Sequence, residues 1–438
     1  MMKSLFLSSI LLPVAAVAQQ DSSLHQAETF SVHGQTTVVS QFKPAFNAPY
    51  SGTNSLKTDK ESGTSLTSTL YLGAKLWPHA SLYVNPEIAG GAGLSSVLGL
   101  GDATNGETFR VGDPSPKVYL ARLFFQQQIP LSDKRVWQEA DQNQLAGYVP
   151  ERYLSFTVGK IGVADFFDAN PYSHDPRTQF LCWGLMDNAA WDYAANTRGY
   201  TPSVVLEYVS PKNELRYGFS LLPQTANGNV MNWNVRNSHS QTLEYTRHYT
   251  LAHREGSVSV LGFYNNAAMG NYRESIDMNP VNPDIIASRG PVRNKFGFGI
   301  NAAQELSPVL GCFVRASWND GHNETWAFTE VDHSISGGLS LEGNCWHRDD
   351  DHAGLAFVTS GLSRDHIDYL NAGGLGFMLG DGKLHYGWEK LTEVYYSASL
   401  LKHHVYLSGA YQFIINPGYN KDRNGPVNVF SLRVHTLI

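Results

Sequence analysis

The chain has 438 residues, with 32 Lys and Arg against 39 Asp and Glu, a formal net charge of −7, and only 16% charged residues overall. It also carries 40 Gly, 22 Tyr, 21 Phe and 9 Trp. This aromatic load excludes a disordered chain, and the lack of clustered positive charge excludes a nucleic-acid binder. No apolar run beyond the N-terminus approaches the ~20 residues of a membrane helix.

At the start, Lys3 precedes the apolar stretch Leu5 to Val17, and Ala16-Val17-Ala18 supplies the small residues that a signal peptidase reads. The pattern predicts a secretory signal over 1–18 and a mature domain over 19–438. The three cysteines Cys182, Cys312 and Cys345 are an odd set, which argues against a disulfide framework; they read as small buried hydrophobes.

From about residue 30 onward, short runs of alternating character end in Gly, Asn, Asp or Pro, the pattern of β-strands and their turns. In 66–76, Leu66, Ser68, Leu70, Leu72, Ala74 and Leu76 fall on one face, and Thr67, Thr69, Tyr71, Gly73 and Lys75 on the other. In 118–129, Tyr119, Ala121, Leu123, Phe125 and Ile129 share one side, opposite Arg122, Gln126 and Gln128 on the wetter one. Alternation returns at 154–158, 215–221, 257–264, 295–300, 312–318, 353–359, 394–400, 405–413 and 430–438.

Roughly sixteen to eighteen such segments predict an all-β fold, a transmembrane antiparallel β-barrel of about sixteen strands. So many half-apolar strands carry too much greasy surface for one soluble core, and in lipid only a closed barrel leaves no backbone edge unpaired. No fixed-period repeat supports a propeller or β-helix. Trp77, Tyr83, Tyr208, Trp318, Trp388 and Tyr411 fit interfacial girdles. Arg247 is a misfit, sharing a face with Leu243, Tyr245 and Tyr249: either its strand has ended, or it reaches the headgroups from the rim.

Polar, turn-rich stretches at 43–64, 89–116, 132–150, 161–201, 223–239, 265–293 and 319–333 are expected loops, long ones lying outside and short turns on the periplasmic side. Segment 161–201 is dense in charged and aromatic residues, which predicts a loop folded into the barrel.

The segment contains the run Asp165-Phe166-Phe167-Asp168-Ala169-Asn170-Pro171-Tyr172-Ser173-His174-Asp175-Pro176-Arg177, followed by Asn188-Ala189-Ala190-Trp191-Asp192-Tyr193 and Arg198-Gly199-Tyr200-Thr201. In these residues the chain resembles the carbohydrate-selective porins, the OprB type of Gram-negative outer membranes. Asn143-Gln144-Leu145-Ala146-Gly147-Tyr148, Ser317-Trp318-Asn319-Asp320-Gly321 and Tyr411-Gln412-Phe413-Ile414-Ile415-Asn416-Pro417-Gly418 extend the resemblance along the mature chain. One departure is Ile438, where such barrels commonly end in Phe. The resemblance implies an outer-membrane barrel that lets mono- and small oligosaccharides diffuse into the periplasm.

A sugar presents hydroxyls that need donors and acceptors and a C–H face that packs on aromatic rings. Strand parity turns Arg122, Gln126, Lys75, Glu244 and Arg315 inward. With the 161–201 segment, this gives an expected constriction of Arg122, Asp175, Arg177, Trp191, Asp192, Tyr193, Arg198 and Arg315. The bland alternatives are that Asp175 and Arg177 only pair to fasten the loop, and that Trp191 and Tyr193 pack its base.

No His-Glu-x-x-His, Gly-x-Ser-x-Gly, phosphate loop or Cys-x-x-Cys is present, so neither an enzyme nor a metal or other cofactor is expected. The run His347-Arg348-Asp349-Asp350-Asp351-His352 reads as a solvated turn, lacking the internal Gly of a calcium loop. Expected partners are permeant sugars, outer-membrane lipid and lipopolysaccharide, with no nucleic acid; monomer and homo-oligomer both stay open. A barrel that exports or anchors a polysaccharide, and a barrel hydrolase, are the competing functional readings.

Overall fold

The computed structural model describes residues 26–108 and 114–438; the signal expected at 1–18 lies outside them. The strands are β1 (Phe30–Lys43), β2 (Glu61–Trp77), β3 (Ala80–Gly91), β4 (Lys117–Pro130), β5 (Arg135–Gln138), β6 (Gly147–Pro150), β7 (Tyr153–Ile161), β8 (Thr201–Val209) and β9 (Asn213–Leu221). They continue as β10 (His239–Leu251), β11 (Arg254–Ala267), β12 (Arg293–Ser307), β13 (Leu310–Asn319), β14 (His333–Glu342), β15 (His352–Gly361), β16 (Glu389–Leu401), β17 (Val405–Ile415) and β18 (Val427–Leu437). Among the described residues, sixteen of these close into an antiparallel barrel, and β5 pairs only with β6. Closure comes from β1 against β18, in register from Gln35 opposite Leu437 to Phe42 opposite Phe430.

The alternation does what the bilayer demands. Thr67, Thr69 and Tyr71 of β2 point inward and are buried, whereas Leu70 is 40% exposed on the outer wall. The same side of the wall carries Leu243, Val260, Phe296, Phe298, Val314, Leu355 and Leu432, all exposed and apolar. With every ladder closed on itself, this greasy outer surface can sit in hydrocarbon without stranding a backbone group. Arg247 faces outward in a strand that runs on to Leu251, near the rim, where its Nη1 donates to Asn213 Oδ1 (2.8 Å). Trp77, Trp318 and Trp388 are exposed, but Tyr83 is buried in the lumen against Phe124 and does not join a girdle.

Two expectations are corrected by local geometry. In β4, Asn85 of the neighbouring β3 pairs with Arg122 and Pro86 with Leu120, so Ala121 forms a bulge. Pro86 has no N–H to give the ladder, and a bulge opposite it accommodates that loss. The extra residue flips parity: Val118 and Leu120 face outward, while Tyr119 and Ala121 belong to the lumen. The second correction is the 132–150 stretch. It falls between β4 and β7 at the end of the barrel where the other connections are short turns, and where β1 starts and β18 finishes.

The lumen is filled from the opposite end by residues 92–108 of the connection after β3 and by the 162–200 loop, which bond to each other through Gly106 N to Leu181 O (2.7 Å) and Trp183 N to Ala103 O (3.0 Å). Inward charges on the wall hold the second loop. The amide of Asp168 donates to Glu244 Oε2 (2.7 Å), and those of Leu181 and Cys182 donate to Glu393 (2.7 and 2.9 Å). Arg433 donates to the carbonyls of Pro176, Thr178 and Gln179. Irregular backbone survives at membrane depth because these side chains satisfy its polar groups.

Candidate pore constriction

The two loops leave a passage along the β2–β3–β4–β7 wall. Its outer part, a cavity of about 120 Å³, is bordered by Tyr119, Tyr193, Arg198, Tyr200, Trp183 and Phe328. Its inner part, about 480 Å³, is bordered by Tyr71, Arg122, Gln126, Asp165, His174 and Asp175. Gly106, Glu107, Arg177 and Met186 line both and mark where they meet. A Cβ at Gly106 would sit 2.2 Å from Met186 Sδ and 2.7 Å from Trp183, so only glycine lets the two loops meet this closely.

At that junction Arg177 Nε donates to Glu107 Oε1 (2.9 Å) and Nη1 to Tyr71 Oη (2.8 Å), with Glu87 3.6 Å from Nη2. The Asp175 carboxylate accepts the backbone amide of Arg177 (2.9 Å) and the Thr178 hydroxyl (3.4 Å) but not the guanidinium, which is therefore not spent on pairing within the loop. Arg122 forks onto both oxygens of Asp165 at 2.6 Å, lies 5.0 Å from the Tyr200 ring, and keeps Nη1 without a partner among the described residues. Glu87 accepts from Thr69 (2.6 Å), Tyr200 (3.1 Å) and Tyr119. Arg198 stacks 4.2 Å from the Tyr119 ring, and Tyr193 stacks on Phe328 at 4.8 Å. Charged donors and acceptors thus alternate with ring faces along one narrow path.

Burial raises the Glu107 carboxyl, with Arg177 and Thr67 pulling the other way. Burial acts in the same direction on Asp165, but there Arg122 prevails and holds it below the ordinary value. His174 is pulled down by burial, yet its ion pair with Asp187 (3.4 Å) lifts it to about 9, so it carries charge at neutral pH.

Of the eight residues expected at the constriction, Arg122, Asp175, Arg177, Tyr193 and Arg198 border the passage. The other three are enclosed. Arg315 is 1% exposed and bonds Asp168 and Leu185 O. Asp192 accepts the amides of Trp326, Ala327 and Phe328. Trp191 packs edge-on against Phe167. Glu107, Glu87 and Tyr200 also border the passage and were not among the expected constriction residues. Glu87 could have been found, as a charge at an inward position beside Asn85, but Glu107 lies in a loop where no parity applies. Among the described residues no cluster with metal-ligand character occurs.

A closed sixteen-stranded barrel narrowed by its own loops is the architecture of an outer-membrane diffusion channel. A family model described as carbohydrate-selective porin, OprB family, matches residues 53–437, and the chain belongs to that family. It is therefore a carbohydrate-selective porin of a Gram-negative outer membrane.

Among solved structures, the high-pH structure of Pseudomonas putida OprB is 14% identical with a TM-score of 0.70, covering 94% of each chain. The low-pH structure of the same protein is 11% identical with a TM-score of 0.51, covering 94% of this chain and 93% of that one. The outer membrane channel DcaP of Acinetobacter baumannii is 10% identical with a TM-score of 0.51, covering 93% and 97%. At these identities the likeness concerns the fold. No curated protein matches the chain.

Proposed function

We propose that the junction of the two cavities is the eyelet of the porin, and that a mono- or small oligosaccharide passes it between Arg177, Glu107, Tyr71 and Arg122. The observation that carries this reading is the meeting of both compartments at Arg177 and Glu107, with aromatic rings and charged donors and acceptors lining each side of the junction. A sugar entering from outside slides its C–H face over Tyr119, Tyr193 and Tyr200, then exchanges water for the guanidinium and carboxylate groups. Binding stays weak, because a tight site stops flux. Asp175 sets the turn that presents Arg177, and Arg198 borders the outer approach. Arg315, Trp191 and Asp192 act as fasteners that hold the loop across the lumen. The protein works as a passive channel without cofactor or catalysis, its 1–18 signal removed and its outward wall embedded in lipid and lipopolysaccharide.

Purified protein in liposomes should pass glucose faster than amino acids or salts of similar size. Equal rates would reduce it to a general porin.

A further inference from the structure

The 131–152 connection is by far the longest at the turn end, and it does not hang in the periplasm. Its strands β5 and β6 lead to a tip that rises inside the barrel to the level of Arg122: Asn85, the register partner of Arg122, donates from Nδ2 to Asn143 Oδ1 (2.8 Å). There Gln142, Asn143 and Gln144 border the 480 Å³ cavity below Arg177, opposite Arg122 and Gln126.

We propose that this hairpin is the periplasmic half of the sugar path, and that its tip amides form a second hydrogen-bonding station for a monosaccharide leaving the eyelet. The inference rests on the eyelet reading above and extends it inward.

The tip is built as a fixed wall. Asn143 adopts a left-handed conformation (φ 56°), which asparagine tolerates better than most residues. Leu145 is buried in the cluster that includes Tyr83 and Phe124. Ala146 is clamped by the N-terminal segment: its amide donates to Glu28 Oε2 (2.9 Å) and its carbonyl accepts from Glu28 N (2.9 Å). Trp137 and Tyr148 pack edge to face across the hairpin at 5.2 Å. A segment pinned at both margins of its tip holds its amides in place without collapsing into the pore.

The chemistry is that of a sugar site. Carboxamides both donate and accept and carry no charge, so they match hydroxyls while offering little to salts. Arg122 Nη1, on the cavity wall opposite the tip, has no partner among the described residues, a donor left for a hydroxyl. The cavity volume lies within the ~300–1,000 Å³ usual for small-ligand sites.

The test is glucose block of single-channel current in planar bilayers, with sugar added to the periplasmic or the extracellular side. The combined variant Gln142→Ala, Asn143→Ala, Gln144→Ala should weaken block from the periplasmic side about tenfold, the loss of one to two neutral hydrogen bonds. If that variant gives no heat-modifiable folded band, Asn143→Gly, which keeps the backbone conformation and removes the amide, should weaken it about fivefold on the same basis. Unchanged block in the folded variant, with the wild type blocked, overturns the hairpin station and leaves the eyelet standing. A wild type that glucose does not block at all, and that passes glucose no faster than salts, overturns both.

Discussion

Arg177 is the residue on which the proposed eyelet depends. Its guanidinium reaches Glu107, Tyr71 and Glu87 from a loop, and it borders both cavities. Replacing it by Ala should raise ion conductance and weaken glucose block about tenfold, since a charge-assisted bond contributes roughly 1.5–3 kcal/mol. Unchanged block in a folded mutant would make Arg177 a fastener. Glu107 and Asp165 predict a pH response of the passage. Burial raises Glu107, whereas Asp165 is held below its ordinary value by Arg122 in spite of burial. On mild acidification Glu107 therefore gains its proton first, while the Asp165–Arg122 pair, intact above the ordinary aspartate range, is lost only as pH falls below about 3.9. His174, at about 9, stays charged throughout. Reversal potentials in a KCl gradient should shift toward chloride as pH falls from neutral toward the ordinary glutamate value of about 4.3; a constant potential contradicts this. Arg122 and Arg177 were legible from parity and from the density of their segment. Tyr119 was not, because a single bulged residue at Ala121 inverts the alternation and leaves no mark in composition.

At the scale of elements, the 162–200 loop depends on wall charges that have no contact with the passage. Asp168 is fully buried, bonded to Arg315 (3.3 Å) and to Asn301 Nδ2 (2.7 Å), and its amide is taken by Glu244. Asp168→Ala leaves Arg315 buried without its counter-charge, a loss of about 3–5 kcal/mol. Denaturant unfolding in detergent should show a drop of that order; a change below about 1 kcal/mol would mean that the loop is held by packing alone. That the loop folds inward could be read from its aromatics, which a solvated loop has no reason to carry. The inward hairpin of β5 and β6 could not. Its polar tip looks like any exposed turn, and only the strand count between β4 and β7 assigns it to the periplasmic end.

For the whole molecule, the barrel follows from strands that are apolar on one side and polar on the other, and this was the most legible feature of the sequence. Closure was legible too, because no open sheet can sit in lipid. What remained hidden was how the lumen is divided, since contacts such as Arg433 with the 176–179 carbonyls join residues more than 250 positions apart. The central claim is that loops and wall shape a passage selective for small sugars. Rates of liposome swelling in glucose, a disaccharide and an amino acid test it most directly: glucose should enter fastest, with the disaccharide slowed at the Arg177–Glu107 junction. Entry of all three in simple order of molecular size would contradict it.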